Sequence, residues 1–147
     1  MISKTTHIIE SGRLLTEEKL LAMPASDYMN VEQLGFYRNR LKELERVILA
    51  NADATSDNLR GTEFVSDPTD RATIEEQYGL ELRTRDREQK LLKKVQQAIT
   101  RIDSGKYGWC DETGEPIGIA RLLARPTANL TLDAQERREL KQKLTGQ

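Results

Sequence analysis

The sequence predicts a mainly α-helical protein built on a long antiparallel coiled-coil hairpin, with a small globular part and a C-terminal helix. Three observations predict it. Charged residues make up 32% of the 147 and aromatics 5%, so there is little bulky material for a large interior; high charge with Leu at helical spacing suits long helices instead. From Asn30 onward Leu34, Tyr37, Leu41, Leu44 and Ile48 recur at alternating threes and fours, a heptad seam that wants a partner helix. A second stripe, Ile74, Tyr78, Leu82, Leu92, Val95, Ile99 and Ile102, supplies one, and the short "VSDP" turn between them makes a hairpin the economical arrangement.

Taken in order, residues 1–29 form a polar leader with one short helix, "TEEKLLAM", that packs with the globular part. Thr16 can cap it, Glu17 and Glu18 suit its first turn, and Pro24 stops it. His7, the only histidine, receives no role. Residues 30–105 are the hairpin, with its tip near 65–72. Asn30 and Gln33 resemble a capping box, Leu59 and Phe64 are late apolar anchors, Pro68 suits the first position of the second helix, and Gly105 suits its stop. Some 35 residues at about 1.5 Å each give an arm on the order of 50 Å. Residues 106–132 turn irregular and Gly/Pro-rich. Their opening, "YGWCDETGEPIG", has the look of a zinc-ribbon knuckle, yet Cys110 is the only cysteine. Residues 133–147 carry a final helix, "LDAQERRELKQKL", capped by an Asp133–Glu136 box or by Thr131 one turn earlier.

The formal net charge of −1 argues against a protein that coats DNA or RNA, which needs a dominant basic surface. One cysteine excludes an intramolecular disulfide framework and fits a reducing cytosol. The N-terminus lacks the apolar core of a signal peptide, and no stretch approaches the roughly 20 apolar residues of a membrane span. These features predict a soluble, cytoplasmic protein without membrane contact.

Charge is uneven along the hairpin. Glu63, Asp67, Asp70, Glu75 and Glu76 gather near the turn, while Arg83, Arg85, Arg87, Lys90, Lys93 and Lys94 lie toward the root. Asp67 before Pro68 is a good N-cap and Asp70 then suits the helix dipole, so both acids have a structural explanation. The alternative is that they approach a cation or a basic site inside a partner, and a capping carboxylate retains an oxygen for that purpose. The basic root, with Arg121 and Arg125, either pairs within the helix, against Asp86 and Glu88, or binds phosphate.

The segments "DPTDRA", "LELRTRDREQKLLKK", "YGWC" and "GEPIGIARLLARPTA", in this order, are similar to the DksA family (DksA/TraR) of bacterial RNA polymerase-binding transcription factors, and the similarity runs from about Tyr28 to the C-terminus. The resemblance implies a non-enzymatic regulator that acts as a monomer. Such a factor inserts its hairpin into the polymerase secondary channel, contacts no DNA sequence itself, and alters open-complex stability together with guanosine tetraphosphate (ppGpp) in the stringent response and at ribosomal RNA promoters. By motif it places Asp67, Asp70 and Ala72 at the polymerase-binding tip and Arg83 and Arg87 on the shaft. Leu91, Lys94 and Arg125 fall at the ppGpp site, with Arg121 a weaker candidate. A transcript-cleavage (Gre-like) factor, which works through an acidic tip in the same channel, and a non-catalytic coiled-coil adaptor are the alternatives.

Two departures stand out. The family's four zinc-ligand cysteines correspond here to Cys110, Thr113, Thr131 and Ala134, and threonine and alanine lack the softness a structural zinc site requires. The expectation is a degenerate zinc finger with no tightly bound zinc, held together by Trp109, Ile117, Ile119, Leu122, Leu123, Leu130 and Leu132, with Cys110 a packed or idle thiol. Gln135 stands where a basic residue often completes the nucleotide site, which removes a positive charge.

Overall fold

The computed structural model describes residues 15–61 and 68–146, with side chains at 15–53 and 71–146. The elements are α1 (Glu17–Ala22), a 3-10 turn (Ala25–Asp27), α2 (Val31–Gly61), α3 (Pro68–Asp103), α4 (Ile119–Ala124) and α5 (Leu132–Leu144). The protein is mainly helical, and among the described residues the only β-pairing is an isolated antiparallel bridge between Trp109 and Pro116. No helix among them is long and apolar enough to cross a membrane.

The helices start and stop for local reasons. Thr16 caps α1, its hydroxyl accepting from the Lys19 N–H at 3.2 Å. At α2 the Asn30 side chain accepts from Gln33 N–H (2.9 Å), but Gln33 Oε1 reaches back to Met29 N–H (2.8 Å), one residue beyond a simple capping box. Asn30 N–H is already used by Asp27 O, so Gln33 turns to the next donor and becomes buried there. Helix α3 begins at Pro68 and ends in a Schellman motif. Lys106 N–H donates to Arg101 O (2.9 Å) and Gly105 N–H to Ile102 O (3.2 Å), with Gly105 at φ +78, a conformation that costs glycine little. Thr131, not the Asp133–Glu136 pair, caps α5, accepting from Ala134 N–H at 3.3 Å.

Helices α2 and α3 pack antiparallel. Arg38 near the start of α2 is ion-paired with Asp103 at the end of α3, and Tyr37, Leu41 and Ile48 are buried with Val95, Ala98 and Ile99 between the helices' near halves. Leu34, Leu44, Leu92 and Ile102 pack at the margin of this core. The seam opens outward along α3: Tyr78 is 37% exposed and Leu82 42%, so they do not continue the core that the stripe predicted. Leu59 lies in α2 with its side chain outside the described residues, Phe64, residues 65–67 of the "VSDP" turn and His7 fall outside them altogether, and Pro68 opens α3 as expected.

The core continues from the root of the hairpin into the small C-terminal part. Tyr107, Cys110, Ile117, Leu122, Ala128, Leu130 and Ala134 are buried, and Leu20 of α1 is fully enclosed among the same cluster. Trp109 (38% exposed) and Leu132 (56%) lie at the surface, contrary to their expected place in the packing that substitutes for a metal. Tyr107 takes the central position, its ring 5.5 Å from that of Tyr37 and its hydroxyl donating to Pro126 O at 2.7 Å.

Candidate functional site

Helix α3 carries the predicted arm residues. The backbone of Asp70 lies in its first turn with the side chain outside the described residues, and Asp67 falls just before them. Ala72, Arg83 and Arg87 are exposed along the shaft.

At the root, α3, the 124–129 loop and α5 enclose a groove of about 1130 Å³. Leu91, Lys94, Arg121, Arg125 and Gln135, drawn from 45 residues of sequence, all line it. Lys93, Arg101 and Arg138 join them, whereas Asp111 is the one carboxylate in the wall. Six cationic side chains against one carboxylate make the groove strongly cationic, and Asp111 is itself ion-paired with Arg101.

Its walls are held by identifiable contacts. Arg121 Nε donates to Leu130 O at 3.0 Å, which ties α4 to the entry of α5. Arg125 closes α4, its N–H returning to Arg121 O (2.8 Å) and its carbonyl accepting from Ala128 N–H (3.0 Å). The Tyr107 hydroxyl anchors the loop at Pro126. Gln135 turns along its own helix, Nε2 donating to Glu139 at 3.0 Å. Arg138, one turn on, donates to Glu112 Oε1 at 2.9 Å.

Behind this wall sit the four positions expected to correspond to zinc ligands. The backbone forms a knuckle: Ile117 N–H donates to Gly108 O (2.9 Å), Cys110 N–H to Glu115 O (2.8 Å) and Gly114 N–H to Cys110 O (2.9 Å). Thr131 Oγ1 donates to Cys110 Sγ at 3.8 Å while accepting from Ala134 N–H. Thr113 does the same on the other side, accepting from Glu115 N–H (3.3 Å) and hydrogen-bonding the sulfur. Each threonine thus joins a local backbone donor to one shared thiol. Burial pushes the Cys110 thiol up, but the Thr113 hydroxyl and the backbone N–H groups of Thr131, Thr113 and Glu112 outweigh it and bring it down to about 6. The buried Cys110 is a hydrogen-bonded acceptor rather than an idle group.

These residues do not fit zinc. One thiol, two hydroxyls already engaged with the thiol and the backbone, and the fully buried methyl of Ala134 do not make four soft ligands. No cluster of three or more His, Cys, Asp or Glu suited to a metal exists among the described residues.

Three further residues contribute. Tyr28 bridges the knuckle, donating to Gly108 O (2.5 Å) and accepting from Gly118 N–H (2.9 Å). Arg101 braces it through Asp111 and through Trp109 O at 2.9 Å. Arg138 enters the groove. For Arg138 a signal exists, since i and i+3 share a helix face and Gln135 is already implicated; for Tyr28 and Arg101 nothing local announces the contact.

The chain matches a family model described as "DnaK suppressor protein DksA, N-terminal domain" over residues 33–102, and one described as "Prokaryotic dksA/traR C4-type zinc finger" over 105–140. It is 45% identical over 130 residues to the RNA polymerase-binding transcription factor DksA of Caulobacter vibrioides, covering 86% of this chain and 92% of the relative. Against the protein of the same name from Escherichia coli K12 it is 38% identical over 121 residues, 82% and 80% of the two chains. The solved structure of transcription factor DksA2 from Pseudomonas aeruginosa superposes with a TM-score of 0.79 at 44% identity, covering 87% of this chain and 99% of that one. The chain belongs to the DksA family.

Proposed function

We propose that this protein is a non-enzymatic transcription regulator that binds RNA polymerase as a monomer in the cytoplasm and changes open-complex stability together with ppGpp, without structural zinc. The tip residues Asp67, Asp70 and Ala72 enter the secondary channel, Arg83 and Arg87 hold the shaft against its wall, and Leu91, Lys94, Arg125 and Arg121 form this protein's half of the nucleotide site. The carrying observation is the groove: residues scattered over the sequence converge on one strongly cationic cleft at the root of the arm. The names of the relatives, RNA polymerase-binding transcription factors, support the same reading. A nucleotide with two diphosphates matches such a cleft through charge-assisted hydrogen bonds.

The test is transcription from a ribosomal RNA promoter by purified polymerase in chelator-treated buffer, with and without ppGpp. Inhibition that deepens with ppGpp and survives chelation is expected. Asp67→Asn and Asp70→Asn together should abolish inhibition while preserving helicity, because Asn caps about as well as Asp. Full inhibition by that double variant would overturn the tip assignment, and cleaved transcripts from backtracked complexes would replace the regulator by a cleavage factor.

A further inference from the structure

The groove lacks a cation at Gln135, whose amide is turned to Glu139, yet it is not short of one on that helix. Arg138 lies three residues on, on the same face, and lines the same cleft. Its guanidinium is held by Glu112, a knuckle residue outside the groove wall, at 2.9 Å. The two side chains are 48% and 38% exposed. An ion pair so open to water contributes little, so a better acceptor can take the arginine away. A phosphate group supplies more charge and a bidentate set of oxygens matching the guanidinium fork.

We infer that Arg138 supplies the positive charge missing at Gln135, and that a polyphosphorylated ligand draws it from Glu112. Glu112 is then an internal competitor that sets the ligand concentration at which the groove fills. The inference rests on reading the groove as the ppGpp site.

The measurement is the ppGpp concentration giving half-maximal added inhibition in the promoter assay with RNA polymerase. Arg138→Gln should raise it about tenfold, the loss of one charge-assisted bond. Glu112→Gln should lower it about threefold by releasing the arginine, and Arg138→Lys should recover part of the loss. In the Arg138→Gln background, Glu112→Gln should have no further effect. A pair that only staples α5 to the knuckle would move both single variants in the same direction, or neither, and either result overturns the proposal. Lys94→Gln separates the two layers. If it leaves the ppGpp response intact, the groove is not the nucleotide site; if it abolishes the response while Arg138→Gln and Glu112→Gln change nothing, the groove stands and the exchange fails. Both Arg138 and Glu112 are exposed, and should Arg138→Gln lower stability, the direction of the Glu112→Gln shift still decides between exchange and staple.

Discussion

In the arm, α2 and α3 meet through Tyr37, Leu41 and Ile48 against Val95, Ala98 and Ile99, apolar groups whose contacts have no required direction. In the knuckle, residues 107–118 are held by oriented bonds: Tyr28 to Gly108 and Gly118, Thr113 and Thr131 to Cys110, Arg101 to Asp111 and Trp109. Packing tolerates exchange among side chains of similar volume, whereas a hydrogen bond is lost when one atom changes. A pair of hydroxyls on a thiol is an oriented staple of this kind, and it joins the knuckle to the start of α5.

The comparison breaks most visibly at Leu41, which is fully buried. Leu41→Ala should cost about 2–5 kcal/mol and Leu41→Met less than about 1.5 kcal/mol by urea unfolding. In the knuckle the shape-conserving change should be the damaging one. Thr131→Val keeps volume but removes both the cap to Ala134 and the donor to Cys110, and should cost about 1.5–3 kcal/mol in the same experiment. A valine variant as stable as the wild type would mean that packing governs the knuckle too. Tyr28→Phe leaves Gly118 N–H without its acceptor and should cost about 1–2 kcal/mol.

The smallest effect is on pH dependence. Cys110 is lowered in the folded protein to about 6 from an ordinary 9.0. A depressed value means that the folded state favours the thiolate, so its contribution is complete above the unfolded value and disappears as pH falls through about 6. The difference in melting temperature between the wild type and Cys110→Ala should therefore widen from pH 6 to pH 9. A constant difference would show that the thiol packs without ionising.

How much is legible in the sequence follows the same division. The heptad seam near the root, the Thr16 cap and the Gly105 stop are written in local spacing, and the structure carries them as read. The outer stripe misleads because periodicity reports which face is apolar, not whether a neighbour covers it; Tyr78 and Leu82 remain substantially exposed. Size alone assigns Trp109 to the interior, but it packs edge-on against Tyr28 at 5.3 Å with its other face in water. The groove residues are recognisable as members of motifs, and Arg138 follows from Gln135 by helical spacing, while their convergence, and the arrival of Arg101 among them, depends on tertiary contacts that no local pattern encodes.

Tyr28 reaches its two knuckle partners across 80 and 90 residues of chain. Closing a loop that long has an entropic cost, but the two arms of the hairpin zip through local helical contacts and return the chain to its starting point. Only then can the hydroxyl of Tyr28 find Gly108 and Gly118. The last segment of the protein thus packs on a surface that the first segment helps to build, so a chain without its C-terminal residues would present an arm without the α5 wall of the cleft.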